Sequence, residues 1–279
     1  MTHPLLTKLP ALIERLISDA ARSERGALRS WLLCRGDRGF ITLSPSTKPS
    51  HLVLRAAAGR SLERRLAQEE AELLYSLGLR RRTAADPFEA GLPISSGADR
   101  QALSALIGQL MERIYHGEAE GLSLRYQQAE VPELDDTSLT ETMTQLSRER
   151  SHSARQRLYW AVVRSHFLLS LEGEPMPSAL GPLTSVEQLM TSLKGRALTD
   201  YSALTGYSSA AVFSSWAGAL RCHPEGVAVV EVKGRALLPL LLERSLGSLL
   251  INPRGQIGGE LYRNELSSME EAMRQWEQR

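Results

Sequence analysis

Leu5, Leu9, Leu12 and Leu16, with Ile13 and Ile17, recur at three- and four-residue spacings and predict an N-terminal amphipathic helix with Pro10 in its first turn. From Gly26 the spacing changes. Three short extended runs, ALRSWLLC (27–34), GFITLSP (39–45) and HLVLRAAA (51–58), are separated by the turn-prone RGDRG and SPSTKPS, the pattern of an antiparallel meander. A second helix is predicted from Ser61 on Leu62, Leu66, Ala71, Leu73, Leu74 and Leu77. Gly78 is its stop, and Arg64 leaves its capping box incomplete. After a polar stretch containing Pro87 and Pro93, the segment Asp99 to His116 carries Leu103, Leu106, Ile107, Leu110, Met111 and Ile114 on one side. Gly117 would end it. Helices covering a small sheet make an α+β arrangement.

The rhythm lapses over residues 118–137, EAEGLSLRYQQAEVPELDDT, where six acidic residues stand against one Arg. This stretch reads as an acidic linker. Beyond it, Leu139 to Arg150 and Ser153 to Arg164 predict two helices, the second carrying Leu158, Trp160, Ala161 and Val163 and leading into the extended HFLLSLEG. A Pro/Gly-rich passage precedes the helical TSVEQLMTSL, with Thr184 and Glu187 as its capping box. The runs SSAAVFSSWAGAL, GVAVVEVKG, ALLPLLLERSLG and SLLINPRG then alternate strand and helix. The expected architecture is two α+β domains, 1–117 and 138–279, each a small, mainly antiparallel sheet packed with helices.

With 279 residues the chain is long enough for two such cores. Its 33 Lys and Arg against 32 Asp and Glu leave a net charge of +1, so no global field draws in nucleic acid or an anionic membrane. Two distant cysteines, Cys34 and Cys222, in apolar surroundings give neither a disulfide framework nor a multi-Cys metal site and fit a reducing compartment. The N-terminus lacks the pattern of a signal peptide, and no run long enough to span a bilayer occurs, so a cytoplasmic, soluble protein is expected.

Candidate chemistry is sparse. Cys222 and His223 are adjacent, whereas thiol and imidazole pairs that act together usually converge from distant segments. The six histidines, His3, His51, His116, His152, His166 and His223, form no HExxH or paired Cys/His spacing. Arg80-Arg81-Arg82 follows a helix end, where cations complement the dipole and water is near. GxSxG and SxxK are absent in their structural contexts. In SLLINPRGQIGGEL the apolar run ends at Asn252, and Gly258 and Gly259 lead into Glu260-Leu261-Tyr262 without a Lys-Ser/Thr pair. A turn between two strands is expected there, not a phosphate loop. No catalytic, cofactor-binding or metal-ligating residue is assigned.

The meander GFITLSPSTKPSHLVLRAAAG, the helix ending LLYSLGL and the closing helix LSALIGQLMERIYHG resemble the chaperone-like domains related to type III secretion chaperones and to YbjN-like proteins (the TY-Chap type). After Gly78 the chain departs from that pattern with Leu79-Arg80-Arg81-Arg82. Residues from Leu139 to Glu270 resemble the SseB-like domain. Val212-Phe213-Ser214-Ser215-Trp216 matches its strand-to-helix motif with Ser214 in place of Thr, and Ile251-Asn252-Pro253-Arg254-Gly255 matches its Asn-Pro-Gly turn with Arg254 inserted. The resemblance implies a bacterial chaperone or adaptor, not an enzyme. Its N-terminal domain would hold an extended client segment at a sheet edge or apolar groove, and its second half would bind protein or regulate. It implies a client such as an effector or toxin, no nucleic acid and no cofactor, and it allows a homodimer. An immunity-type interaction protein of a toxin system is the nearest alternative. A hydrolase or transferase would instead need a pocket bringing Cys222, His166 or His223 beside a carboxylate.

Overall fold

The computed structural model describes the chain apart from residues 1–3, 23–27, 37, 47, 59–65, 82–86, 116–121, 132–133, 174–179, 194, 224–225, 256 and 279. By contacts the chain forms two units, one of Met1–Glu130 with His223–Glu225 and one of Val131–Cys222 with Gly226–Arg279.

In the first unit a 3-10 turn, Pro4–Lys8, runs into helix α1 (Leu9–Arg22). The meander follows as β1 (Leu28–Gly36), β2 (Gly39–Pro45) and β3 (His51–Ala58). Alternation puts Leu32 opposite Leu43 and Cys34 opposite Ile41, and Leu54 and Ala56 continue the row on β3. This face is buried under Leu9, Ile13 and Leu16 of α1 and Leu103, Ile107 and Leu110 of α3 (Gly97–Arg113). Each such side chain contributes about 1.5–3 kcal/mol. Ser96 caps α3 by accepting from the Asp99 amide, while Asp99 accepts from the Ser96 amide.

Helix α2 (Gln68–Ser76) stops where Gly78 takes a φ of 86° and the Leu79 amide donates back to the Leu74 carbonyl. The predicted start of this helix at Ser61 lies outside the described residues. Two strands escape the hydrophobic pattern. β4 (Phe88–Pro93) carries one buried large residue, Phe88, within a short run that also holds Gly91 and Pro93. β5 (Ser123–Glu130) falls within the stretch read as a linker. It pairs with β1 along its length, and Leu124 and Tyr126 pack against the core from one face, so its polar composition conceals a period of two. The sheet order is β4-β3-β2-β1-β5, antiparallel throughout.

The second unit begins with α4 (Thr137–Glu149), α5 (His152–Arg164) and strand β6 (His166–Leu171). Next come β7 (Leu180–Leu183), α6 (Val186–Ser192), the single turn α7 (Ser202–Thr205), β8 (Ser209–Phe213) and α8 (Trp216–Cys222). The α6 cap is Ser185, accepting from the Gln188 amide, in place of the expected Thr184 and Glu187 box. β9 (Ala228–Lys233), α9 (Gly234–Glu243), β10 (Ser248–Ile251), β11 (Gly259–Tyr262) and α10 (Arg263–Glu277) complete it.

The six strands run β11-β10-β8-β6-β9-β7, parallel at β10–β8 and β9–β7 and antiparallel elsewhere. Phe167, Leu169, Val212, Val230 and Leu249 point to a common core with α4, α5, α9 and α10. Helix α9 buries Ala236, Leu237, Leu238, Leu240 and Leu241, apolar nearly all round as a helix packed on several sides must be. Helix α8 packs against β6 and β8 with Trp216, Ala219 and Leu220 buried.

Candidate functional site

The two motifs quoted for the second half meet in space. The Asn252 side chain accepts from the Ser214 amide at 2.8 Å and donates to the Ser214 hydroxyl at 2.9 Å. That hydroxyl donates in turn to Asp136, at the start of α4, at 2.7 Å. Asn252 itself sits at a φ of 48° and receives the Gly255 amide on its carbonyl. Positive φ falls on Asn252 and Arg254, not on Gly255, but a Cβ at Gly255 would lie 2.7 Å from the Asn252 carbonyl oxygen. The loop is therefore a clamp joining β8, β10 and α4, and the Ser214 hydroxyl is occupied as donor and acceptor.

The remaining sequence candidates are dispersed. Cys34 is buried on β1, and burial pushes its thiol up to about 12, far from a nucleophile at neutral pH. Cys222 is buried at the end of α8. Arg80 donates to the Tyr75 and Leu79 carbonyls, completing the C-terminus of α2, and the Arg81 guanidinium lies 4.7 Å from the Phe88 ring. Arg82, His3 and His116 lie outside the described residues. Among the described residues no group of three His, Cys, Asp or Glu side chains could hold a metal, and no helix is long and apolar enough to cross a membrane. The sheet edge offered by β4 is partly taken, because Arg80 and Glu89 exchange both backbone hydrogen bonds.

What does converge lies on α5. Ala154, Leu158, Ala161 and Val162 form its buried stripe, and helical spacing turns Trp160 away from them, leaving it 40% exposed. Arg157 and Arg164 stand one turn before and after it. The Arg164 guanidinium lies 5.7 Å from the indole centroid, and Arg157 pairs with Glu149 at 2.9 Å. On this side an open cleft of about 590 Å³ runs between α5 and the start of α4, with Asp135, Ser138 and Thr142 on the far wall. At its end His166 Nδ1 is 3.0 Å from a Glu231 carboxylate oxygen. The hydroxyl of Ser165, also in the cleft, donates to the Ala161 carbonyl.

The other flank of Trp160 opens on a groove of about 500 Å³ between α5 and α10, lined by Tyr159, Val163, Met269, Ala272 and Met273. Helix α9 packs against both walls. The walls are tied at one end by Glu265, which pairs with Arg155 at 2.6 Å and accepts from the Tyr159 hydroxyl at 2.6 Å. Burial alone would raise the Glu265 carboxyl. Hydrogen bonds from Tyr159, the Tyr262 amide and Arg155, with the Arg155 charge, outweigh it and hold the group below the usual carboxylate range.

This surface was legible in part. Three arginines and no acid stand between His152 and Arg164, but the sequence pattern groups Trp160 with the apolar Leu158, Ala161 and Val163, and the structure corrects this by burying Ala154, Leu158, Ala161 and Val162 and leaving Trp160 half-exposed. The walls from α4 and α10 come from distant segments and leave no local signal. No family model, curated protein or solved structure matches the chain.

Proposed function

We propose that the protein is a bacterial protein-binding chaperone or adaptor acting in the cytoplasm, which holds a client such as an effector, toxin or secretion component for export, assembly or regulation. The observation that carries this reading is Trp160, half-exposed between Arg157 and Arg164 at the lip of an open cleft. Trp and Arg dominate the few residues that supply most of the energy at protein interfaces, and here a large ring is already ordered by a guanidinium. A client segment would lay an apolar side chain against the indole and carboxylates against the two arginines. The near-zero net charge argues against nucleic acid as the partner.

The test is affinity capture from the native host with paired baits, the natural chain and a Trp160→Ala/Arg164→Glu variant of matching thermal stability. A defined set of proteins should be captured by the first and lost by the second. Identical sets would overturn the reading. An immunity-type role differs in the client alone, a cognate toxin, and the same capture distinguishes it.

One observation favours a second reading, a hydrolase or transferase: His166 lies in this cleft with its ring oriented by Glu231. A carboxylate on Nδ1 leaves Nε2 as a base. Against it, the Ser165 hydroxyl beside that ring donates to the Ala161 carbonyl. If His166→Asn leaves client capture unchanged, the imidazole plays no part in the binding function.

A further inference from the structure

We infer that the cleft between α5 and the start of α4 takes the carboxyl terminus of a client chain, its terminal carboxylate on Arg164 and its last side chain, an apolar one, against the Trp160 indole. This rests on the protein-binding reading and names the part of the client that is recognised. The charges lining the cleft select it. Glu231 is paired with His166 at 3.0 Å, and Arg157 with Glu149 at 2.9 Å. Asp135 accepts from the Thr137 amide at 3.1 Å. Arg164 has neither a carboxylate nor a hydrogen-bond acceptor among the described residues, and its guanidinium rests on the indole alone, 5.7 Å from the ring centroid. One cation is left without an anion, so its complement is a single carboxylate. Asp135, on the opposite wall, keeps its negative charge and calls for an N–H donor.

The last residue of a polypeptide carries all three groups together: an α-carboxylate, its own amide N–H and a side chain. In an extended internal segment successive side chains point to opposite faces. An acid and an apolar residue then meet one wall only when two positions apart, about 7 Å, and the chain must continue beyond them. Position along the cleft favours a chain end. Arg164, Ser165 and His166 are consecutive, which places the unpaired cation at the end marked by His166 and Glu231, and the lining extends no further. Arg157 stands two helical turns back along α5, about 10 Å away. A segment entering past Arg157 therefore runs between Thr142 and Trp160 and stops at Arg164, with its last amide toward Asp135.

Fluorescence anisotropy of the full chain with a fluorescein-labelled hexapeptide pool, randomised except for a final leucine, tests this, the pool being prepared both as free acid and as carboxy-terminal amide. The free acid should bind about tenfold more tightly or better, as loss of a charge-assisted hydrogen bond predicts for the amide. Arg164→Gln, at an exposed side chain, should leave circular dichroism unchanged and abolish that difference, and Arg164→Lys should restore most of it. Trp160→Ala should weaken the free acid, and so should a final serine in place of leucine. Equal binding of acid and amide, an acid preference that survives Arg164→Gln, or no binding by either pool would overturn the inference. So would N-acetyl-leucine competing as well as the hexapeptides, since the cleft would then belong to a small carboxylic acid. The protein-binding reading fails on a different result: captured host proteins that ignore Trp160 and Arg164 sink it, whereas capture that depends on both, without an acid preference in the pool, sinks the carboxyl terminus alone.

Discussion

Asn252 shows how much a single side chain can settle. It closes the turn after β10, holds the Ser214 amide and hydroxyl, and occupies a left-handed φ that β-carbon sterics disfavour in most residues. Asn252→Ala should therefore lose two hydrogen bonds and keep the backbone penalty, lowering stability by about 2–4 kcal/mol. Asn252→Gly should cost less, because it relieves the backbone while losing the same bonds. Chemical denaturation of the two variants checks the order, and an alanine variant as stable as the glycine one would remove the backbone argument. Gly255→Val should also destabilise, through collision with the Asn252 carbonyl oxygen and not through its own φ. The sequence indicates that a turn lies here, but the partner of its asparagine 38 residues earlier is visible only once β8 and β10 lie side by side.

At the scale of elements, α5 and α10 are held at one end by Glu265, with Arg155 and Tyr159 from α5 and the Tyr262 amide at its own helix start. The folded carboxyl is depressed, so its contribution is fully present above the unfolded value near pH ~4.3 and is lost as pH falls through the lower folded value. Glu265→Gln should cost about 1–2 kcal/mol at neutral pH and flatten the decline in thermal stability below about pH 4. A variant whose acid profile matches the natural protein would show that Glu265 does not titrate in the folding equilibrium. Elements with a long periodic stripe, α1, α3, α5 and the meander, are readable because burial of one face dictates their spacing. β4 and β5 are not, because an edge strand needs few apolar residues: β5 is held by its ladder to β1, with Leu124, Tyr126 and Ala129 supplying packing. α10 is hidden differently, since its stripe of Leu266, Met269, Met273 and Trp276 is interrupted by acids and ends in an exposed residue.

At the scale of the whole molecule, the position of β5 decides where the chain can be divided. A fragment ending at Gly117 lacks the strand that covers β1, leaving a long row of unpaired backbone groups on an apolar sheet, whereas one ending at Val131 keeps it. The longer fragment should show the higher denaturation midpoint and the smaller tendency to aggregate; equal midpoints would mean that β5 contributes nothing to the sheet. The chain's two thiols extend this to the intact protein. Cys34 lies on β1 in one unit and Cys222 on α8 in the other, each about 1% exposed. A thiol reagent must wait for each to open, so one labelling experiment times both halves of the molecule without any introduced probe. Native protein should react in two slow phases, one of which disappears in Cys34→Ala and the other in Cys222→Ala. The two rates read the separate opening free energies of the halves, and a ligand or partner that steadies one half slows its clock alone.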